Sequence, residues 1–366
     1  MHQDHDVELP IVGSQMVVRV NLQTGERESQ SPNGLKLEGS YSSSIIIRCD
    51  GNRVQAMGNP SRWQRADNLF GYTTFDDCVD VYNQILEANG LPPFTRCTQV
   101  RQRQTKEQSR TEIWTDGAQI DHVDLTRNFT VGKGAELPFI RGLASQQIGR
   151  GKDPYLYANG KTCDWYKGST MLYKKVYEKA YDLIKHKDKR LQNASKEEIE
   201  HYEKVIQWCE DHGVLREEHS FKREWLRRKK LNIYGLTKEL DFAEHTSAIE
   251  NVISRLSVMK TQYETISDQL LANQIVKSRQ AANATQSLAY QWLHGCALTK
   301  SSQFYVHRQR LLQIGIDIAI PYDVSKMPPQ IRSNKVIDVR PANPPSWYRM
   351  PRKASRKRQS LTKKVA

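Results

Sequence analysis

Ala118-Gln-Ile-Asp-His-Val-Asp-Leu-Thr126 puts Ile120, His122, Asp124 and Thr126 on one side of an extended chain and Asp121, Val123 and Leu125 on the other, because successive side chains of a strand point to opposite faces. Residues 113–129 around it therefore read as a strand. A histidine and a carboxylate two residues apart on a strand lie about 6 to 7 Å apart along the chain and face the same way. Both can reach one divalent ion, which makes His122 and Asp124 a candidate metal pair. A half-buried strand whose polar groups are only hydrogen-bonded would give the same pattern.

Working outward, Met16–Val20 alternates as a strand, and residues 41–48 and 53–57 read as a hairpin around Asp50-Gly-Asn52. Residues 74–89 carry Val79, Tyr82, Ile85 and Leu86 at helical spacing, between Thr/Asp capping residues and Gly90. Downstream, Gly160-Lys-Thr-Cys-Asp-Trp165 reads as extended. Residues 171–187 fit either a strand or a helix, since Tyr173, Tyr177 and Tyr181 recur every four residues. Ser195-Lys-Glu-Glu198 is a capping box opening a helix that ends at Gly213.

Beyond Leu236 strand signals fade. A long helix is expected to run over residues 249–270, followed by two short ones at 287–298 and 301–314. Past Pro341 the chain is Pro-rich, then basic without a carboxylate, as a flexible tail would be. The expected fold is α+β, with a segment over residues 1–40, an antiparallel-sheet domain over 41–240, a helical DNA-binding or accessory region over 241–340 and a basic flexible tail over 341–366.

The 366 residues hold 55 Lys+Arg against 41 Asp+Glu, a formal charge of +14. Such an excess favours a polyanionic partner, nucleic acid foremost. Six cysteines are scattered without zinc spacing and are expected to be reduced thiols of a cytosolic protein. The first residues lack the basic and apolar regions of a secretory signal, and no apolar run approaches the ~18 residues that span a bilayer. No GxxxxGK[ST] segment is present, which disfavours ATP hydrolysis.

Two further constellations carry possible chemistry. In Tyr173-Lys-Lys-Val-Tyr-Glu-Lys179, a tyrosine attacking phosphorus near neutral pH needs a cation or metal to favour its phenolate. Lys179 or the ion could serve Tyr177. Tyrosines at this spacing are also common core residues. The block Phe221-Lys-Arg-Glu-Trp-Leu-Arg-Arg-Lys-Lys-Leu has one carboxylate, Glu224, among six cations. If it faces the site, Glu224 completes a metal shell while Lys222, Arg223, Arg227, Arg228, Lys229 and Lys230 hold phosphates. A solvated basic helix face is the alternative. Arg127, Lys175, Arg308 and Arg310 are the other cations expected to meet DNA.

At these residues the sequence resembles the filamentous-phage gene II and RstA-type rolling-circle replication initiators, relatives of the HUH endonucleases. The blocks that carry the resemblance run from Val54-Gln-Ala-Met-Gly-Asn-Pro-Ser-Arg62 and Asn68-Leu-Phe-Gly71 through Ile120–Thr126 and Tyr177-Glu-Lys-Ala-Tyr-Asp-Leu183. Lys222-Arg-Glu224, Tyr234-Gly-Leu236 and Pro344-Pro-Ser-Trp-Tyr348 complete the series.

The resemblance implies an HUH-like nicking domain and a tyrosine nucleophile twelve residues after a tryptophan, the interval from Trp165 to Tyr177. It also implies a Mg²⁺ or Mn²⁺ cofactor. Tyr173 is a candidate second nucleophile. His122-Val-Asp124 stands where the wider class has two histidines, so Asp124 is the firmer ligand. The implied partners are double- and single-stranded origin DNA and a host helicase and polymerase, with self-association on the origin allowed and no membrane. The implied setting is the bacterial host cytoplasm. The rival from another class is a non-catalytic helix-turn-helix regulator using the two short helices. A tyrosine recombinase is disfavoured, because its Arg-rich signature is absent.

Overall fold

Two antiparallel sheets organise the first two thirds of the chain in the computed structural model, which describes residues 1–104, 111–148, 153–236, 265–323 and 338–352. The first sheet uses β1 (His2–Asp4), β4 (Leu35–Glu38), β5 (Ser44–Cys49) and β6 (Arg53–Gly58) in the order β1-β6-β5-β4, while β2 (Met16–Val20) and β3 (Arg27–Pro32) form a separate hairpin. Residues 1–40 thus supply two strands to this sheet, and the boundary expected at residue 41 cuts through it. Alternation decides which way β5 faces: Ile45, Ile47 and Cys49 are fully buried and the residues between them are partly exposed. Residues 41 and 42 do not extend this strand as expected, because a 3-10 turn at Ser40–Ser42 with positive φ at Tyr41 and Ser42 precedes it.

The helix α1 (Phe75–Ala88) packs against that sheet, capped by Thr74, whose side chain accepts from the Asp77 amide, with Asp76 and Asp77 suited to the positive end of the helix dipole. A short hairpin, β7 (Val100–Gln104) and β8 (Thr111–Thr115), leads to β9 (His122–Thr130). The strand expected over residues 113–129 is therefore two, divided between β8 and β9.

The second sheet is reached through α2 (Glu136–Leu143), β10 (Tyr155–Leu156), β11 (Thr162–Trp165) and β12 (Leu172–Glu178). It continues through α3 (Lys179–Lys185), α4 (Lys187–Leu191), α5 (Lys196–His212) and β13 (Val214–Lys222), with α6 (Arg223–Arg228) following. Residues 171–187 are both strand and helix, switching at Lys179. The capping box at Ser195 forms as expected, and α5 ends at Gly213 with φ 61°. A side chain there would also collide with the Gly132 backbone, so glycine is required twice over at the turn into β13.

A helical unit follows: α7 (Ile266–Ala272), α8 (Arg279–Leu293) and α9 (Ser302–Leu312) around a core that includes Leu270, Trp292, Phe304 and Leu311. The helix expected over 249–270 is not continuous, because Thr265 is extended and caps a new helix; residues 249–264 lie outside the described residues. The next helix begins at Arg279, well before residue 287. Residues 294–301 separate α8 from α9, a longer connection than the three- or four-residue turn of a helix-turn-helix. The unit docks through Gln146 Nε2 to the Gly315 carbonyl (2.7 Å) and Arg308 Nη2 to Gln147 Oε1 (3.0 Å).

The chain then returns to the second sheet as β14 (Arg340–Pro341), completing the order β10-β11-β12-β13-β9-β14. Far from starting a flexible tail, residues 341–352 run back across the domain, and Tyr348 is only 6% exposed. The basic run after residue 352 lies outside the described residues. Among the described residues no helix is long and apolar enough to cross a membrane.

Candidate active site on the six-stranded sheet

Register decides which side chains meet. Asp124 lies opposite Ser220, Thr126 opposite Glu218 and Asn128 opposite Arg216; across the next ladder Ser220 faces Tyr173, Glu218 faces Lys175 and Arg216 faces Tyr177. Directly paired residues share a face and alternate residues return to it. One face of β9, β13 and β12 is therefore polar from the Lys222 row to the Arg216 row, with Glu218 standing in register between the Asp124 row and the Tyr177 row.

At one end His122 Nε2 lies 3.0 Å from Asp124 Oδ1, which also accepts a hydrogen bond from the Ser220 hydroxyl. Burial works against ionisation of Asp124, but the bonds from His122 and Ser220 outweigh it and hold the carboxyl below its usual range. The same hydrogen bond, against some burial, raises His122. Both side chains remain more than half exposed and line a cleft of about 1810 Å³ between the edge of β9, the end of β6 and the segment 68–75.

At the other end the Tyr177 hydroxyl donates to Glu218 Oε1 at 2.6 Å. Burial pushes this phenol well above its ordinary pKa, the Arg216 guanidinium opposes the shift and the Glu218 carboxylate adds to it. Tyr177 accordingly rests as a neutral donor with an acceptor in contact. Three cations crowd it. Lys175 Nζ is 2.7 Å from Glu218 Oε2 and 5.0 Å from the Tyr177 ring centroid, Lys179 Nζ is 5.8 Å from that centroid, and Arg216 is its cross-strand neighbour.

Lys179 begins α3 and is 1% exposed, bonded to Asn68 Oδ1 (3.2 Å) and Asp182 Oδ2 (2.9 Å). Burial first, then Arg216, lower its amine to about 8 against the pull of Asp182.

The other expected residues scatter. Tyr173 shares the strand and face with Tyr177, but four strand residues span about 13 Å, and its hydroxyl is held by Asp164 at 2.8 Å. The two tyrosines are not a pair. Glu224 is exposed on α6 and bonded to Arg228 at 2.8 Å, so the expected trio of His122, Asp124 and Glu224 is not assembled. No group of three or more His, Cys, Asp or Glu side chains able to hold an ion occurs among the described residues. Asp124 with His122 still fits a hard cation, since Mg²⁺ is commonly held by one or two carboxylates plus waters and substrate phosphate.

Arg127 points to the opposite face and pairs with the buried Glu217. Lys222 Nζ bonds the Ser169 carbonyl and Arg223 lies 3.2 Å from Asp121. Arg227, Arg228, Lys229 and Lys230 are exposed around the end of α6, as a phosphate-binding surface requires. Arg308 is not free for DNA: its guanidinium is occupied by Asp317 and Gln147. Arg310 bonds Thr285.

Sequence reasoning missed Glu218, Ser220 and Arg216. Their only signal was Arg216-Glu-Glu-His-Ser220, which does not alternate because the opposite face at Glu217 and His219 is also polar and buried.

Known proteins resemble the chain across both the sheet domain and the helical unit. The N-terminal profile of the gene II replication-associated protein family matches residues 5–245, and the C-terminal profile of the same family matches residues 270–354. A gene II replication-associated protein from Escherichia phage If1 is 39% identical over 316 residues, which cover 84% of this chain and 97% of that protein. No solved structure matches.

Proposed function

The chain belongs to the family of the gene II replication-associated protein, and from that premise we propose that it initiates phage rolling-circle replication as an HUH-like nickase, cutting one strand of a double-stranded origin with Tyr177. The observation that carries the reading is the 2.6 Å bond from the Tyr177 hydroxyl to Glu218, on the same sheet face as the Asp124 and His122 pair.

The phenol gives its proton to Glu218 as its oxygen attacks phosphorus in line, the bond from phosphorus to the 3′ oxygen breaks, and the leaving oxygen takes a proton from water. A 5′ phosphotyrosine and a 3′-OH result. Lys175, Lys179 and Arg216 offset the negative charge that develops on the phenol oxygen and the phosphoryl group. Asp124 and His122, about 13 Å along the sheet from the Tyr177 row, would hold Mg²⁺ or Mn²⁺, which when bound supplies positive charge to the DNA backbone in the cleft. Attack by a 3′-OH on the phosphotyrosine later rejoins the displaced strand, and the phosphodiester energy is conserved throughout, so no nucleotide is consumed.

A host polymerase would extend the new 3′ end and a host helicase would open the duplex, in the bacterial cytoplasm. The exposed cations around the end of α6 suit duplex phosphates. The test is incubation of supercoiled origin DNA with the protein and Mg²⁺. An SDS-resistant protein–DNA adduct is expected from the wild type and none from Tyr177→Phe; an adduct of equal yield from the variant would overturn the assignment.

A further inference from the structure

Two buried cations beside Tyr177 depend on a turn that the C-terminal strap pins in place. Arg216 is 2% exposed, and its Nη2 donates to the Asn68 carbonyl (2.5 Å) and the Leu69 carbonyl (2.6 Å). Lys179 takes the Asn68 side chain. Buried cations without acceptors are costly, so the carbonyls of residues 68 and 69 must point inward.

Asn128 Nδ2 also holds the Leu69 carbonyl, and the turn itself is tied down by one phenol oxygen far away in the sequence. The Tyr348 hydroxyl donates to Asp67 Oδ1 (2.5 Å) and accepts from the Phe70 amide (3.0 Å) and from Arg65 Nη2 (2.9 Å). Asp67 Oδ1 in turn takes the Leu69 amide at 2.9 Å.

We propose that Tyr348 is a positioning residue for the Tyr177 centre, acting through the turn at residues 67–70 to fix the acceptors of Arg216 and Lys179. It touches neither substrate nor Tyr177. Trp347 beside it supplies a control, because it packs against His201 (5.9 Å) and under Lys204 (4.5 Å) without bonding the turn. Tyr348→Phe keeps the ring and its edge contact with Phe70 (5.0 Å) while removing the hydroxyl's bonds to Asp67, Phe70 and Arg65. This inference rests on the reading of Tyr177 as the nucleophile only for its kinetic arm.

The experiment compares wild type, Tyr348→Phe and Trp347→Ala as full-length chains. The first readout is the ionisation of Lys179, followed by NMR of chains labelled with ¹⁵N at the lysine side-chain nitrogen. The groups facing Lys179 are Tyr177 of β12, Arg216 of β13, Asp182 of α3, Arg190 of α4 and Cys209 of α5, with Asn68 of the turn. All are retained in every variant.

Tyr348→Phe is expected to move the Lys179 midpoint upward from about 8 as water reaches the loosened turn, while Trp347→Ala leaves it in place although it loses thermal stability. A midpoint unmoved in folded Tyr348→Phe, or moved equally in Trp347→Ala, overturns the proposal whether or not an adduct forms. The second readout is the single-turnover rate of adduct formation at saturating origin DNA, expected to fall about tenfold in Tyr348→Phe, the equivalent of one buried hydrogen bond, with unchanged DNA affinity. A rate equal to wild type overturns it. Absence of an adduct in the wild type would instead contradict the role of Tyr177, leaving the NMR result to decide on Tyr348.

Discussion

The Tyr177 hydroxyl is bonded to Glu218 at 2.6 Å, and Glu218 lies on β13 one cross-strand row from Ser220, whose hydroxyl bonds Asp124. On the proposed mechanism proton acceptor and nucleophile are already in contact, and Glu218 lines the cleft that DNA would enter. Glu218→Gln keeps the size of the side chain and removes the base. The single-turnover rate is expected to fall about 10²-fold or more, with DNA binding unchanged or slightly tighter because a negative charge is gone. A rate within threefold of wild type would show that Glu218 is not the acceptor.

Tyr173 lies on the same face as Tyr177, but about 13 Å along the strand and held by Asp164. Tyr173→Phe should therefore leave adduct yield within about twofold of wild type, a change worth under half a kcal/mol. Gel quantitation of the two phenylalanine variants side by side checks this, and equal losses would mean the tyrosines act together.

Lys179 gives a pH signature in stability. Its folded pKa of about 8 lies below the ordinary 10.5, so between these values the unfolded chain binds more protons and stability rises with pH through this group. Below pH 8 the full cost of burying the charge, on the order of 3 kcal/mol, is present. Urea unfolding at pH 7.5 and 9.5 should show wild type gaining on Lys179→Met as pH rises; parallel changes would mean that the amine is not perturbed.

Salt dependence separates DNA contacts from internal ones. Lys229→Ala and Lys230→Ala are each expected to reduce the slope of log K against log salt by about 1. Arg308→Ala should lower thermal stability, since Arg308 joins Asp317 to Gln147, yet leave that slope unchanged. Fluorescence anisotropy with duplex DNA at several salt concentrations distinguishes the two.

Much of this arrangement was legible where one physical rule acted alone. Thr74 and Ser195 announced α1 and α5 because caps are local, and Ile45 and Ile47 marked β5 because one face is apolar and buried. The pairing of His122 with Asp124 followed from strand alternation. What was hidden depended on residues distant in sequence. β13 buries Glu217 and His219 on one face and presents Glu218 and Ser220 on the other, so no apolar alternation betrays the strand and Glu218 went unseen. Tyr173 and Tyr177 recur at helical spacing, yet the helix begins only at Lys179. Glu224 was drawn to the site by the cations around it, but its own partner is Arg228, one helical turn away. Tyr348 looked like part of a basic tail because nothing local records its bond to Asp67.

The most direct measurement is the position of the covalent link. Wild-type protein reacted with origin DNA and Mg²⁺, digested with nuclease and protease and sequenced by mass spectrometry should carry a nucleotide 5′ phosphate on Tyr177 alone. A nucleotide on Tyr173, Tyr181 or any other residue would contradict the account.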